Sequence, residues 1–115
     1  MTAIKICGFV DAENAAAVAA CGVEYLGLNF WPRSKRFTSV DNAIAIGRAV
    51  AGASQLVGVF VDADEDAIVD VVSRVGLDVI QLHGDESPAF ANSVGRRTGK
   101  PVWKLAGLDA PRALR

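Results

Sequence analysis

Short β-favouring apolar runs alternate with helix-patterned stretches from one end of this chain to the other. That alternation limits the possible folds more than any single residue does. Strands are expected at about residues 3–7, 25–30, 55–61, 78–82 and 101–106. Helices are expected at about 12–20, 40–50, 65–75 and 88–97, and Asp109 with Pro111 opens one more. Asp11, Ser39, Asp62 or Asp64, and Ser87 ahead of Pro88 supply helix starts, while Gly22, Gly52, Gly76 and Gly99 stand at the stops. Ala12, Ala15, Ala16 and Ala19 form one apolar helix face, and Ile68, Val71, Val72 and Val75 another. Strands that alternate with helices in this way imply a parallel sheet with helices packed on it.

The chain has 115 residues, no low-complexity stretch and no linker, so residues 1–115 are expected to form a single domain. With 51% hydrophobic residues it can build a sizeable core. A net charge of −1 argues against a nucleic-acid or membrane-surface partner. Two cysteines, Cys7 and Cys21, make no disulfide framework and suit a reducing cytosol. One histidine and two cysteines give no cluster at metal-ligand spacing. The first residues lack a signal-like run, and no apolar stretch reaches the roughly 18 residues of a membrane span. The expected setting is soluble and cytoplasmic.

Two parallel-sheet architectures fit this size. A doubly wound open sheet is covered on both faces, so its strands are apolar on both sides. A barrel has an inner face that can turn polar near its catalytic end. One parity here carries Lys5 and Cys7, then Gln81 and His83, then Lys104, while Ile4, Ile6, Ile80, Leu82, Trp103 and Leu105 make up the other. Polar groups gathered on one face favour the barrel interior. A closed (βα)8 barrel typically needs about 200–250 residues, so this chain holds about half of one.

Cys7 ends the first strand, and Gly8 frees the turn after it. In α/β enzymes this is where the chemistry sits, and a thiol there acts as base or nucleophile if its pKa is lowered. A small buried hydrophobe is the plainer alternative. The loop after the second strand, residues 31–37, carries Arg33, Lys35 and Arg36. An arginine fork matches a carboxylate or phosphate, whereas a solvated basic loop needs no ligand. His83, the single histidine, ends the fourth strand two residues after an inward-facing Gln81. It can transfer protons or hydrogen-bond a ligand. Asp85 and Glu86 read as helix capping, as does the acidic run Asp62, Asp64, Glu65 and Asp66, and Cys21 reads as structural. No glycine-rich nucleotide motif follows the first strand.

Taken in order, Lys5-Ile6-Cys7-Gly8, Leu26-Gly27-Leu28-Asn29-Phe30 with Ser34-Lys35-Arg36-Phe37, Gly58-Val59-Phe60-Val61, and Val79-Ile80-Gln81-Leu82-His83-Gly84-Asp85-Glu86 resemble the phosphoribosylanthranilate isomerases, over residues 3–108. The resemblance implies a TIM (βα)8 barrel, here truncated after about five strands. It implies tryptophan biosynthesis and an Amadori rearrangement of N-(5-phosphoribosyl)anthranilate to 1-(o-carboxyphenylamino)-1-deoxyribulose 5-phosphate. No metal or organic cofactor is implied, and the partner is a small phosphorylated substrate. By matching motif, Cys7 is the general base, Arg36 holds the anthranilate carboxylate, and His83 lines the pocket above Gln81.

The family's general acid is an aspartate at the end of strand six, and its phosphate loops follow strands seven and eight. Asp109 follows strand five and does not match the acid. Acid–base groups contribute about 10²–10⁴-fold each, so these 115 residues alone are expected to be a poor isomerase. The alternatives are a non-catalytic half-barrel fragment or anion-binding scaffold, and a flavodoxin-like binding module. A half barrel is also expected to expose strand edges and an apolar inner face, and so to self-associate, to aggregate or to belong to a longer protein.

Overall fold

Five parallel strands lie side by side in their chain order: β1 (Lys5–Cys7), β2 (Tyr25–Asn29), β3 (Gln55–Phe60), β4 (Val79–Leu82) and β5 (Val102–Lys104). The computed structural model describes residues 5–7 (backbone), 17, 20–22, 24–35, 37–50 and 52–104. A doubly wound sheet reverses its strand order at a switch point. Here the order runs from β1 to β5 without reversal, which is how a barrel wall is wound. The expected open-sheet alternative therefore falls away.

Between the strands run α1 (Val40–Val50), α2 (Glu65–Val71) and α3 (Pro88–Thr98). Ser39 caps α1 by accepting the Asn42 N–H at 3.1 Å, and Ser87 caps α3 by accepting the Phe90 N–H at 3.0 Å. Asp64 occupies the position before α2 but makes no side-chain cap bond, contrary to the capping expected of it. The expected helix over 65–75 is α-helical only to Val71. A π-turn, Val72–Gly76, completes it, with the Leu77 N–H reaching back to the Val72 carbonyl. Just ahead of β4, Asp78 is held to β3 twice: its N–H donates to the Leu56 carbonyl and its carboxylate accepts the Leu56 N–H, each at 2.8 Å. Of the expected first helix, Ala17 and Ala20 are helical; the rest of it, like the helix start at Asp109 and Pro111, lies outside the described residues. Cys21 is an exposed thiol in the following turn, not part of the core.

One sheet face carries the hydrophobic cluster. Leu26, Leu28, Leu56, Phe60, Ile80 and Leu82 meet Ala43, Ile46 and Val50 of α1, Ile68 of α2, Val72 of the π-turn and Val94 of α3. Burying each such side chain stabilises by about 1.5–3 kcal/mol. The stripe expected at Ile68, Val71, Val72 and Val75 does face this cluster.

The opposite face follows the register Asn29–Val59–Gln81–Trp103. Trp103 therefore shares the face of Gln81, and Lys104 shares the parity of Leu82. This reverses the expected assignment of strand five. The register with β4 sets this, and on the inner face Trp103 meets Tyr25 of β2 edge-on, ring centroids 5.2 Å apart. In a flat sheet three strand spacings would separate these strands by about 14 Å. Curling brings the two rings together across the inner face. Val57, Val59 and Val79 on that face are 0–3% exposed, so it is far less open than expected of a half barrel.

Candidate functional site

The carboxyl ends of the strands form one rim. β1 places Cys7 in register with Gly27 of β2, and Gly27 with Val57 of β3, so Cys7 takes an inner-face position at the tip of its strand. The next inner row holds Asn29, Val59, Gln81 and Trp103. Gln81 is 6% exposed, a polar side chain inside the wall, as the strand parity required. His83 follows two residues on, with an exposed side chain and its N–H donated to the Phe60 carbonyl at 2.9 Å. The sheet thus puts Cys7, Gln81 and His83 at one end of one wall.

The basic loop is folded back on the same rim. The Asn29 side chain accepts the Trp31 N–H at 2.9 Å, and the Asn29 carbonyl accepts the Thr38 N–H at 2.7 Å. Two successive turns, Ser34 N–H to Trp31 O and Phe37 N–H to Ser34 O, carry the chain between them. Phe37 comes to rest as a parallel bridge beside Asn29. Arg36 lies outside the described residues. Lys35 and Phe37 on either side of it are exposed.

Glu86, Asp62 and Lys104 act otherwise than the sequence suggested. Glu86 does not lie in the first turn of α3, which begins only after the Ser87 cap. Its carboxylate instead accepts N–H bonds from Asp62 and Gly84, each at 2.8 Å, and faces Lys104 Nζ at 3.5 Å. Asp62 has φ of 50°, and its carboxylate accepts the Asp85 N–H at 2.8 Å. Lys104 Nζ donates to the Gly84 carbonyl at 2.6 Å. A Cβ on Gly84 would lie 2.5 Å from the Asp62 side chain, so the loops approach closely enough to require glycine there. One signal was available: Pro88 at the first helical position puts the cap at Ser87 and leaves Glu86 outside the helix.

Glu65 and Asp66, in the first turn of α2, also make ties to α3. Glu65 accepts from Ser93 Oγ at 2.8 Å and from Arg97 at 2.7 Å, and Arg97 also pairs with Asp66 at 2.9 Å. The Arg97 hydrogen bond, aided by Ser93, holds the Glu65 carboxyl below its ordinary value. Among the described residues no three His, Cys, Asp or Glu side chains come together as a metal-holding group, and no helix is long and apolar enough to cross a membrane.

A singly wound wall of five parallel strands, with helices on its outer face, defines part of a (βα)8 barrel. Residues 4–110 match the family model of N-(5′-phosphoribosyl)anthranilate (PRA) isomerase. The chain belongs to that family. The N-(5′-phosphoribosyl)anthranilate isomerase of Paracoccus denitrificans is 40% identical over 96% of this chain and 52% of its own length. The phosphoribosyl anthranilate isomerase of Thermus thermophilus superposes with a TM-score of 0.86 at 36% identity, over 94% of this chain and 53% of that one. A further phosphoribosyl anthranilate isomerase, solved with reduced 1-(o-carboxyphenylamino)-1-deoxyribulose 5-phosphate, gives a TM-score of 0.85 at 32% identity, over 99% of this chain and 58% of that one. The chain spans about half the length of the curated relatives it matches, and its five strands are a truncated barrel.

Proposed function

We propose that this chain supplies the amino-terminal half of a phosphoribosylanthranilate isomerase site, acting in the cytoplasm, a setting that suits a sequence whose two cysteines make no disulfide framework. The carrying observation is the register that sets Cys7 on the inner face beside Gly27, at the same rim as Gln81 and His83. Family membership supports the assignment of roles. Cys7 is the general base and takes the proton from C2 of the ribose-derived imine; the electrons left behind form the enamine. A thiol's reference pKa near 8.5 is close to working pH, and a cationic neighbourhood favours the thiolate further. Arg36 holds the anthranilate carboxylate, and His83 and Gln81 line the pocket. The substrate is anionic at both ends, which suits the Arg33–Arg36 loop.

The test follows the loss of fluorescence of substrate generated in situ, with the chain alone and with Cys7→Ala. Slow turnover abolished by the substitution supports the reading. Turnover unaffected by it would remove Cys7 from its role. Absence of turnover would leave the second reading, a half-barrel that binds an anthranilate-like anion without converting it. The half-length match favours that reading. Among the described strands β1 and β5 each pair on one side only, and these edges are where a second copy would add. Sedimentation as a monomer would rule that out.

A further inference from the structure

The clasp at the rim is a set of contacts that the proposed proton transfer does not itself use. The Glu86 side chain is 3% exposed, and a carboxylate so deeply covered is costly unless it is paired. Helix capping does not account for it, because Ser87 makes that bond. Its two oxygens divide between two loops, Oε2 taking the Asp62 N–H and Oε1 the Gly84 N–H. The Gly84 N–H belongs to the peptide that leaves His83. The N–H of His83 itself is held by the Phe60 carbonyl. His83 is therefore tied on both sides of its Cα, and Lys104 fixes the next peptide through the Gly84 carbonyl.

We infer that Glu86 is a positioning residue for His83, setting the direction of its imidazole at the rim, with Lys104 as its support. The inference rests on the reading of His83 as a ligand-facing group. The backbone on either side of His83 sets where its Cα–Cβ bond points, and small misplacements at a site weaken ligand interactions out of proportion to their size.

The chain has a single histidine, so its imidazole proton signals are identified without assignment. In Glu86→Ala those signals are expected to shift while the methyl signals of the core stay dispersed. Glu86→Gln, which keeps one acceptor oxygen, and Lys104→Met, which leaves both Glu86 bonds intact, are expected to move them part-way. If Glu86→Ala does not fold, these two variants decide the matter. Affinity for reduced 1-(o-carboxyphenylamino)-1-deoxyribulose 5-phosphate is measured alongside. Glu86→Ala is expected to weaken it on the order of 10- to 100-fold, with little further loss in a His83→Ala background. Unmoved imidazole signals in folded variants, or fully additive losses, would overturn the inference. If the native chain binds no analogue while the imidazole signals still respond to Glu86, the isomerase reading fails and the positioning role stands.

Discussion

The two ends of the barrel wall are built on different plans. At the amino-terminal end one local device recurs. Gly22, Gly52, Gly76 and Gly99 all take positive φ, between 71° and 90°, and strands open three residues after each, at Tyr25, Gln55, Val79 and Val102. The carboxyl rim repeats nothing. The β2 loop is two turns closed by Asn29, the β3 loop pivots on a left-handed Asp62, and the β4 loop is clasped by Glu86 and Lys104. The return turns need only direct the chain into the next strand, and one residue suffices. The rim has to present different groups from different loops, and it relies on pairs far apart in the chain.

Substitutions can break or sharpen that contrast. The largest effect is expected from Gly84→Ala, which drives a methyl group against both the side chain and the backbone nitrogen of Asp62. A loss of about 3 kcal/mol in urea unfolding is expected. A change below 1 kcal/mol would mean that the rim loops are not tightly held. Gly99→Ala, at the amino-terminal end, meets no atom within 4 Å and costs only the left-handed backbone conformation, about 1–2 kcal/mol. If it proved the more damaging of the two, the contrast between the ends would be inverted.

The smallest effect belongs to neither end. Glu65 is tied to α3 on the outside of the wall, and its folded-state pKa lies below the ordinary carboxyl value of 4.5. A depressed acid stabilises the fold above that value, and the contribution is lost as pH falls through the folded pKa. The native protein should therefore melt slightly above Glu65→Gln at pH 7, and the gap should narrow as pH is lowered from 4.5. A gap that did not change with pH would assign the effect to packing.

This contrast also marks what could be read beforehand. α1 and α3, with their caps at Ser39 and Ser87, follow from residues within a few positions of one another, and they were legible almost to the residue. So was the inner placement of Gln81, because a strand's parity is local. Strand five was misread by one residue. Choosing between Trp103 and Lys104 depends on Tyr25 across the wall and on Glu86 in another loop, and no periodicity encodes either partner. Glu86 and Asp62 look like helix caps in the sequence for the same reason: a carboxylate near a helix start has a cheap local explanation, and the bonds that join the two loops reach across more than twenty residues. Arg36, read from the basic loop and its motif, lies outside the described residues.

The π-turn at Val72–Gly76 carries a consequence for how this segment tolerates changes in length. A π-turn holds one residue more than an α-turn between the same hydrogen-bonded ends. Ser73 is exposed within it, while Val72 and Leu77 on either side are anchored in the core. Deleting Ser73 would let the segment close as an ordinary α-turn with both anchors in place. The βα unit is thus expected to lose a residue here without displacing β4 or the histidine beyond it, the change in length being absorbed on the outside of the wall.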